Sequence, residues 1–66
     1  MILVQLSSSD GERYAILANQ ISLVRRSGDE VEIFLIGVEE SKTIPCANEA
    51  AANQLVDQIG DAMKLL

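Results

Sequence analysis

The spacing of apolar side chains changes at Pro45. Upstream they recur at every second position, the period of a half-buried strand. Downstream they recur at helical spacing. A chain that reads as short strands followed by one helix has few folds open to it, because the helix must lie on the sheet to cover its apolar stripe. The predicted class is α+β: a small antiparallel β-meander of four to five strands with one C-terminal α-helix packed on the sheet. It forms a single domain over residues 1–66.

Strands are predicted over 2–6, 13–18, 21–26, 31–36 and 42–45. In the first, Ile2, Val4 and Leu6 point one way and Leu3 and Gln5 the other. Ser7-Ser8-Ser9-Asp10-Gly11 stops it, with Asp-Gly supplying the positive-φ position of a turn. Tyr14 and Ile16 then share a face, as do Ala15 and Leu17. Asn19-Gln20 makes a short corner. Over 21–26, Ile21 and Leu23 are placed together, opposite Ser22 and Val24. Ser27-Gly28-Asp29 turns the chain into the most strand-like segment. There Val31, Ile33 and Leu35 form one stripe, while Phe34 and Ile36 carry apolar surface on the other face. Pro45 has no N–H for a ladder, so the last strand should lie at an edge or finish there.

The helix is predicted over 48–65. Asn48 is a good N-cap, and Glu49 puts negative charge in the first turn. Ala51, Ala52, Leu55, Val56, Ile59, Ala62, Met63 and Leu66 fall in one arc, with Glu49, Asn53, Asp57, Asp61 and Lys64 opposite. Leu65 projects from the polar half.

Composition removes several classes of function. There is no histidine and one cysteine, so a disulfide, a Cys/His metal cage and Ser-His or Cys-His nucleophilic catalysis are all unavailable. No other group serves as a general base near neutral pH without strong tuning. The chain is therefore read as a non-enzyme without cofactor or metal. Ten acids against five bases give a net charge of −5, which opposes binding to nucleic acid or to an anionic membrane. Apolar runs such as Met1 to Val4 and Ile33 to Ile36 fall far short of a membrane span. No basic stretch precedes an apolar one as in a secretory signal. The lone cysteine fits a reducing compartment, and the expected localisation is cytoplasmic.

The remaining chemistry-bearing groups read as structural. Ser7-Ser8-Ser9 forms a loop, and Cys46 is a small core residue before the helix. Asp29, Glu30 and Glu32, and Glu39-Glu40, form a solvated rim. Arg13, Arg25, Arg26 and Lys42 lie at strand ends, where they pair with glutamates and blunt edges. If Arg25 and Arg26 neighboured Arg13, they would form an anion site.

The order of strand, Asp-Gly turn, strand, Ile16-Leu17-Ala18-Asn19-Gln20-Ile21-Ser22-Leu23-Val24, turn, strand and helix resembles in outline the short flagellar FlbD-type proteins. The repeated Asn-Gly turn of that family is replaced here by Gly37-Val38-Glu39-Glu40, and the outline implies nothing further about function.

One helix covers one face of a small sheet. Leu3, Val24, Phe34, Ile36 and Leu65 are left over, and they are the candidate interface residues. A domain this size buries only about 60% of its unfolded surface, and small domains often gain stability by oligomerising. The expected function is a non-catalytic protein-interaction or structural module that self-associates as a homo-oligomer or binds another protein. Two alternatives are a small-molecule site near Tyr14, Phe34 and Met63, and an acidic inhibitor or nucleic-acid mimic. The mimic would need Asp10, Glu12, Asp29, Glu30, Glu39 and Glu40 on one surface.

Overall fold

The computed structural model describes residues 2–66, so the apolar run that opens at Met1 begins outside the described residues. Five strands and one helix follow in order: β1 (Leu3–Ser7), β2 (Arg13–Leu17), β3 (Ile21–Ser27), β4 (Glu30–Leu35), β5 (Lys42–Pro45) and α1 (Glu49–Lys64), with a 3₁₀ turn at Ala18–Gln20. Every pairing is antiparallel. The strands divide into two sheets, a β1-β2 hairpin and a β3-β4-β5 meander. The Ala18–Gln20 turn is the corner between them.

Local chemistry accounts for the joints. Ser27 and Glu30 are paired across a two-residue loop, Gly28-Asp29. Only Gly28 has positive φ there (+63°), which suits a type II′ turn with glycine first. Before α1, Asn48 is extended (φ −161°, ψ 179°) and its side chain accepts the Ala51 N–H at 2.8 Å, satisfying one of the helix's orphan donors.

Pro45 ends β5 at no cost to the ladder. Asp29 accepts from the Cys46 N–H at 2.9 Å, so hydrogen-bonded pairs fall at Asp29/Cys46, Val31/Ile44 and Ile33/Lys42. Pro45 sits in the non-bonded pair with Glu30. Its missing N–H would have pointed away from β4. Its carbonyl does point that way, and accepts the Ser9 N–H at 2.9 Å. This main-chain bond ties the β1–β2 turn to the edge of the other sheet.

The core lies between the inner faces of both sheets and one stripe of α1. Val4 and Leu6 from β1, Val31 and Ile33 from β4, Ile44 from β5, and Ala52, Leu55 and Ile59 from α1 are all buried, with Ala18 and Ile21 at the corner. The Ala52/Leu55/Ile59 spacing is the i, i+3, i+7 pattern of one helical face. Gln58 fastens the helix laterally, donating from Nε2 to the Gln5 carbonyl at 3.1 Å.

Three sequence expectations are corrected. Ile21 and Leu23 do not share a face. Ile21 opposes Leu35 but Leu23 opposes Phe34, so β3 advances two residues where β4 advances one. Such a bulge reverses every side chain beyond it. Leu23 consequently faces outward, and Val24, opposite Ile33, turns inward against the core. Leu66 does not join the helical stripe, because α1 ends at Lys64 and Leu66 is exposed beyond it.

The two helix- and turn-forming glycines respond oppositely to a methyl group. A Cβ at either Gly28 or Gly60 meets no atom within 4 Å. Gly28→Ala should nevertheless destabilise by about 1–2 kcal/mol, because of its left-handed φ. Gly60→Ala, in mid-helix, should stabilise by about 0.5–1 kcal/mol. Urea unfolding monitored by circular dichroism checks both signs.

Candidate interaction surfaces

The outer face of the β3-β4-β5 sheet is the most developed surface. The β3–β4 register places Leu23 opposite Phe34 and Arg25 opposite Glu32 on this side. Glu30, Glu32 and Phe34 follow one another on β4 by strand alternation, and Ile36 continues the series. Leu23 and Ile36 remain 53% and 58% exposed, and Phe34 is half-buried. Phe34 is absent from the side chains that pack on the core. The Arg25 guanidinium stands 6.0 Å from its ring centroid, at the outer limit of a cation–π contact. Val38, 52% exposed, lies just past the β4 turn.

The polar part of the same face is tied together. Arg25 contacts Glu32 Oε1 from Nε and Nη2, each at 2.7 Å. Ser41 Oγ donates to Glu32 Oε2 at 2.6 Å. Both bonds hold the Glu32 carboxyl below the usual carboxylate range, the Ser41 hydrogen bond most and Arg25 next. Ser22 Oγ donates to the Phe34 carbonyl at 3.1 Å, filling the irregularity left by the bulge.

The five candidate interface residues do not form one patch. Phe34 and Ile36 belong to the face just described. Val24 is half-buried against the core. Leu3 is 50% exposed on the outer face of the hairpin, opposite Leu17. Leu65 is 75% exposed at the end of α1. Leu23, which the alternation Ile21-Ser22-Leu23-Val24 hid, takes the place of Val24. No residue type announces the bulge; the polar Ser22 is its one trace.

Other expectations resolve in the same way. Tyr14 faces the core side of the hairpin, with Lys42 Nζ 4.5 Å from its ring centroid. Phe34 faces outward, so Tyr14, Phe34 and Met63 do not converge on a pocket. Asp29-Glu30 opens β4, whereas Glu39-Glu40 lies beyond its far end. The six acids of the mimic reading are thus split by the length of that strand. Arg13 lies opposite Ser7 in the hairpin, while Arg25 is held by Glu32 and Arg26 reaches Glu49 at 3.4 Å; the three bases are not gathered.

The serine loop is more ordered than a solvated linker. Ser8 is buried, and its hydroxyl donates to Asp10, which also accepts the Glu12 N–H at 3.1 Å. These bonds, Ser8 first, lower the Asp10 pKa. Cys46 is half-buried, and burial pushes its thiol pKa up, which keeps it a poor nucleophile. Among the described residues, no three acid or thiol side chains cluster as a metal site, and no helix is long and apolar enough to cross a membrane.

No family model, curated protein or solved structure matches this chain. The FlbD-type outline gains no support from these comparisons, and function has to be read from the surfaces themselves.

Asp10 and Glu32 give the fold a defined acid limb. Their folded pKa values lie below the unfolded ones, so the stabilisation is present above about pH 4.5 and is lost as pH falls toward the lowered values. The urea midpoint should be flat near neutrality and decline below about pH 4. Glu32→Gln should shallow that decline; an unchanged acid limb in the variant would remove Glu32 from it.

Proposed function

We propose that this protein is a small non-catalytic interaction module that associates with itself through the outer face of its three-stranded sheet. The observation that carries this reading is the row Leu23, Phe34 and Ile36: large apolar side chains, two of them more than half exposed, set on a hydrogen-bonded ladder on the side away from α1. Large apolar side chains gathered on a rigid surface favour association.

Size sets what such an association requires. A stable interface removes roughly 800 Å² from each partner, nearly a fifth of this chain's 4392 Å². Leu23, Phe34 and Ile36 cannot supply that alone. The contact would extend over Arg25, Glu32, Thr43 and Pro45, the outward residues of the same three strands. Arg25 and Glu32 already neutralise each other, and the remaining charge of the face, Glu30, lies at the end of β4 far from Phe34 and Ile36. Two-fold pairing suits it, because one patch then serves both partners. The lone half-buried thiol and the absence of any disulfide partner support a cytoplasmic setting.

Sedimentation velocity from about 1 to 200 μM tests the reading. The expected result is a concentration-dependent dimer. Leu23→Glu should shift it to monomer at least tenfold more readily, with little change in thermal midpoint, since Leu23 is outside the core. Leu3→Glu, on the hairpin, should leave the dimer intact. A wild-type chain that stays monomeric throughout would end the proposal.

A further inference from the structure

Asp10-Gly11 is the one place in the chain where an aspartate or asparagine precedes glycine. Glycine has no side chain to shield its amide nitrogen, which leaves the pair open to a rearrangement of its own main chain. The Gly11 nitrogen attacks Cγ of the neutral Asp10 carboxyl and forms an N–Cγ bond. The acid hydroxyl and the amide proton leave together as water. A second water opens the resulting succinimide ring at the Asp10 main-chain carbonyl carbon, breaking its bond to the Gly11 nitrogen. The product is isoaspartate at residue 10, with the chain running through the former side chain. Nothing is oxidised or reduced, and the mass is unchanged.

Both residues are exposed, yet each reacting group is engaged. The Asp10 carboxylate accepts from the Ser8 hydroxyl, and from the Glu12 N–H at 3.1 Å. The Gly11 N–H, whose nitrogen must be freed to attack, donates back to the Ser8 carbonyl at 3.2 Å. Ser8 supplies two of these contacts and is itself buried, so it stays behind when the tip of the turn swings out. Both bonds to Asp10 favour the ionised carboxylate, Ser8 first, and so oppose the neutral acid that reacts.

The same turn carries a joint of the fold. The Ser8 N–H to Glu12 O bond closes its base, and the Ser9 N–H reaches the Pro45 carbonyl on the second sheet, each at 2.9 Å. Isoaspartate adds one methylene to the main chain between Ser9 and Gly11. It also takes the carboxylate off the side chain that Ser8 holds. The residue next to it, Ser9, then loses the geometry that aims its N–H at Pro45.

We infer that Asp10 is a latent isomerisation site, that the Ser8-centred bonds of the folded turn hold it closed, and that its conversion to isoaspartate releases Ser9 from Pro45. The reaction proceeds only from a turn that has opened locally, so its rate follows the fraction of time those bonds are broken. Asp10 and Gly11 take no part in the sheet face proposed for self-association, and the two readings stand or fall separately.

The test is to incubate the chain for weeks at neutral pH, digest it with trypsin, and resolve the two forms of fragment 1–13 by reversed-phase chromatography. A synthetic peptide of residues 7–14 gives the rate for an open turn. The native chain is expected to convert at least about tenfold more slowly than the peptide, and Ser8→Ala faster than the native chain. Urea well below the unfolding transition should leave the native rate nearly unchanged, because a local opening exposes little surface. That measurement uses the unaltered chain and covers the case in which Ser8→Ala does not fold. In the purified isoaspartate form the Ser9 amide should lose its protection from hydrogen exchange, while the Val31 and Ile33 amides keep theirs. Equal rates in chain and peptide, no acceleration in a folded Ser8→Ala, a rate that rises with urea in step with global unfolding, or an unchanged Ser9 amide would each overturn the inference.

Discussion

Neither sheet of this protein is viable alone. A two-stranded hairpin is at best marginally stable in water, and a three-stranded sheet needs a covered face. What makes them one domain is the burial of a single helical stripe, Ala52, Leu55 and Ile59, against aliphatic side chains from both. Ile33, Ile44, Ile59 and Val31 are the largest fully buried side chains, and they come from β4, β5 and α1. The directional contacts — Ser9 to Pro45, Gln58 to Gln5 — fix where the sheets sit once the stripe has brought them together.

The outline of the fold is legible in the sequence because it rests on local rules. Alternation placed the strands to within a residue or two, and Asn48, Gly28 and Pro45 each marked a boundary by its own chemistry. The break between the two sheets is less legible. Asn19-Gln20 signals a corner, but nothing in the sequence says that β2 and β3 fail to pair across it. The bulge at Ser22 leaves no trace beyond that one polar residue. Alternation is a rule about a regular ladder, and one inserted residue exchanges Leu23 and Val24 between water and core without altering composition or hydropathy.

The surfaces follow the same division. Phe34 and Ile36 could be assigned outward from the Val31/Ile33/Leu35 stripe, since β4 is regular. Leu23 could not, although it completes their row. Asp10-Gly11 is legible as a turn and as a reactive pair. The burial of Ser8 and the tie of Ser9 to Pro45 are tertiary facts, and nothing in Ser7-Ser8-Ser9 says which serine turns inward.

The Gln58–Gln5 bond joins residues 53 apart in sequence, and the order of elements has a consequence for synthesis. Translation delivers all five strands of this domain before the helix that covers them. Until α1 is released, Val4 and Leu6 of the hairpin and Val31, Ile33 and Ile44 of the second sheet have no lid. The domain therefore has no stable half-built form, and its folding is set by the arrival of its last sixteen-residue element rather than by the first strands to emerge.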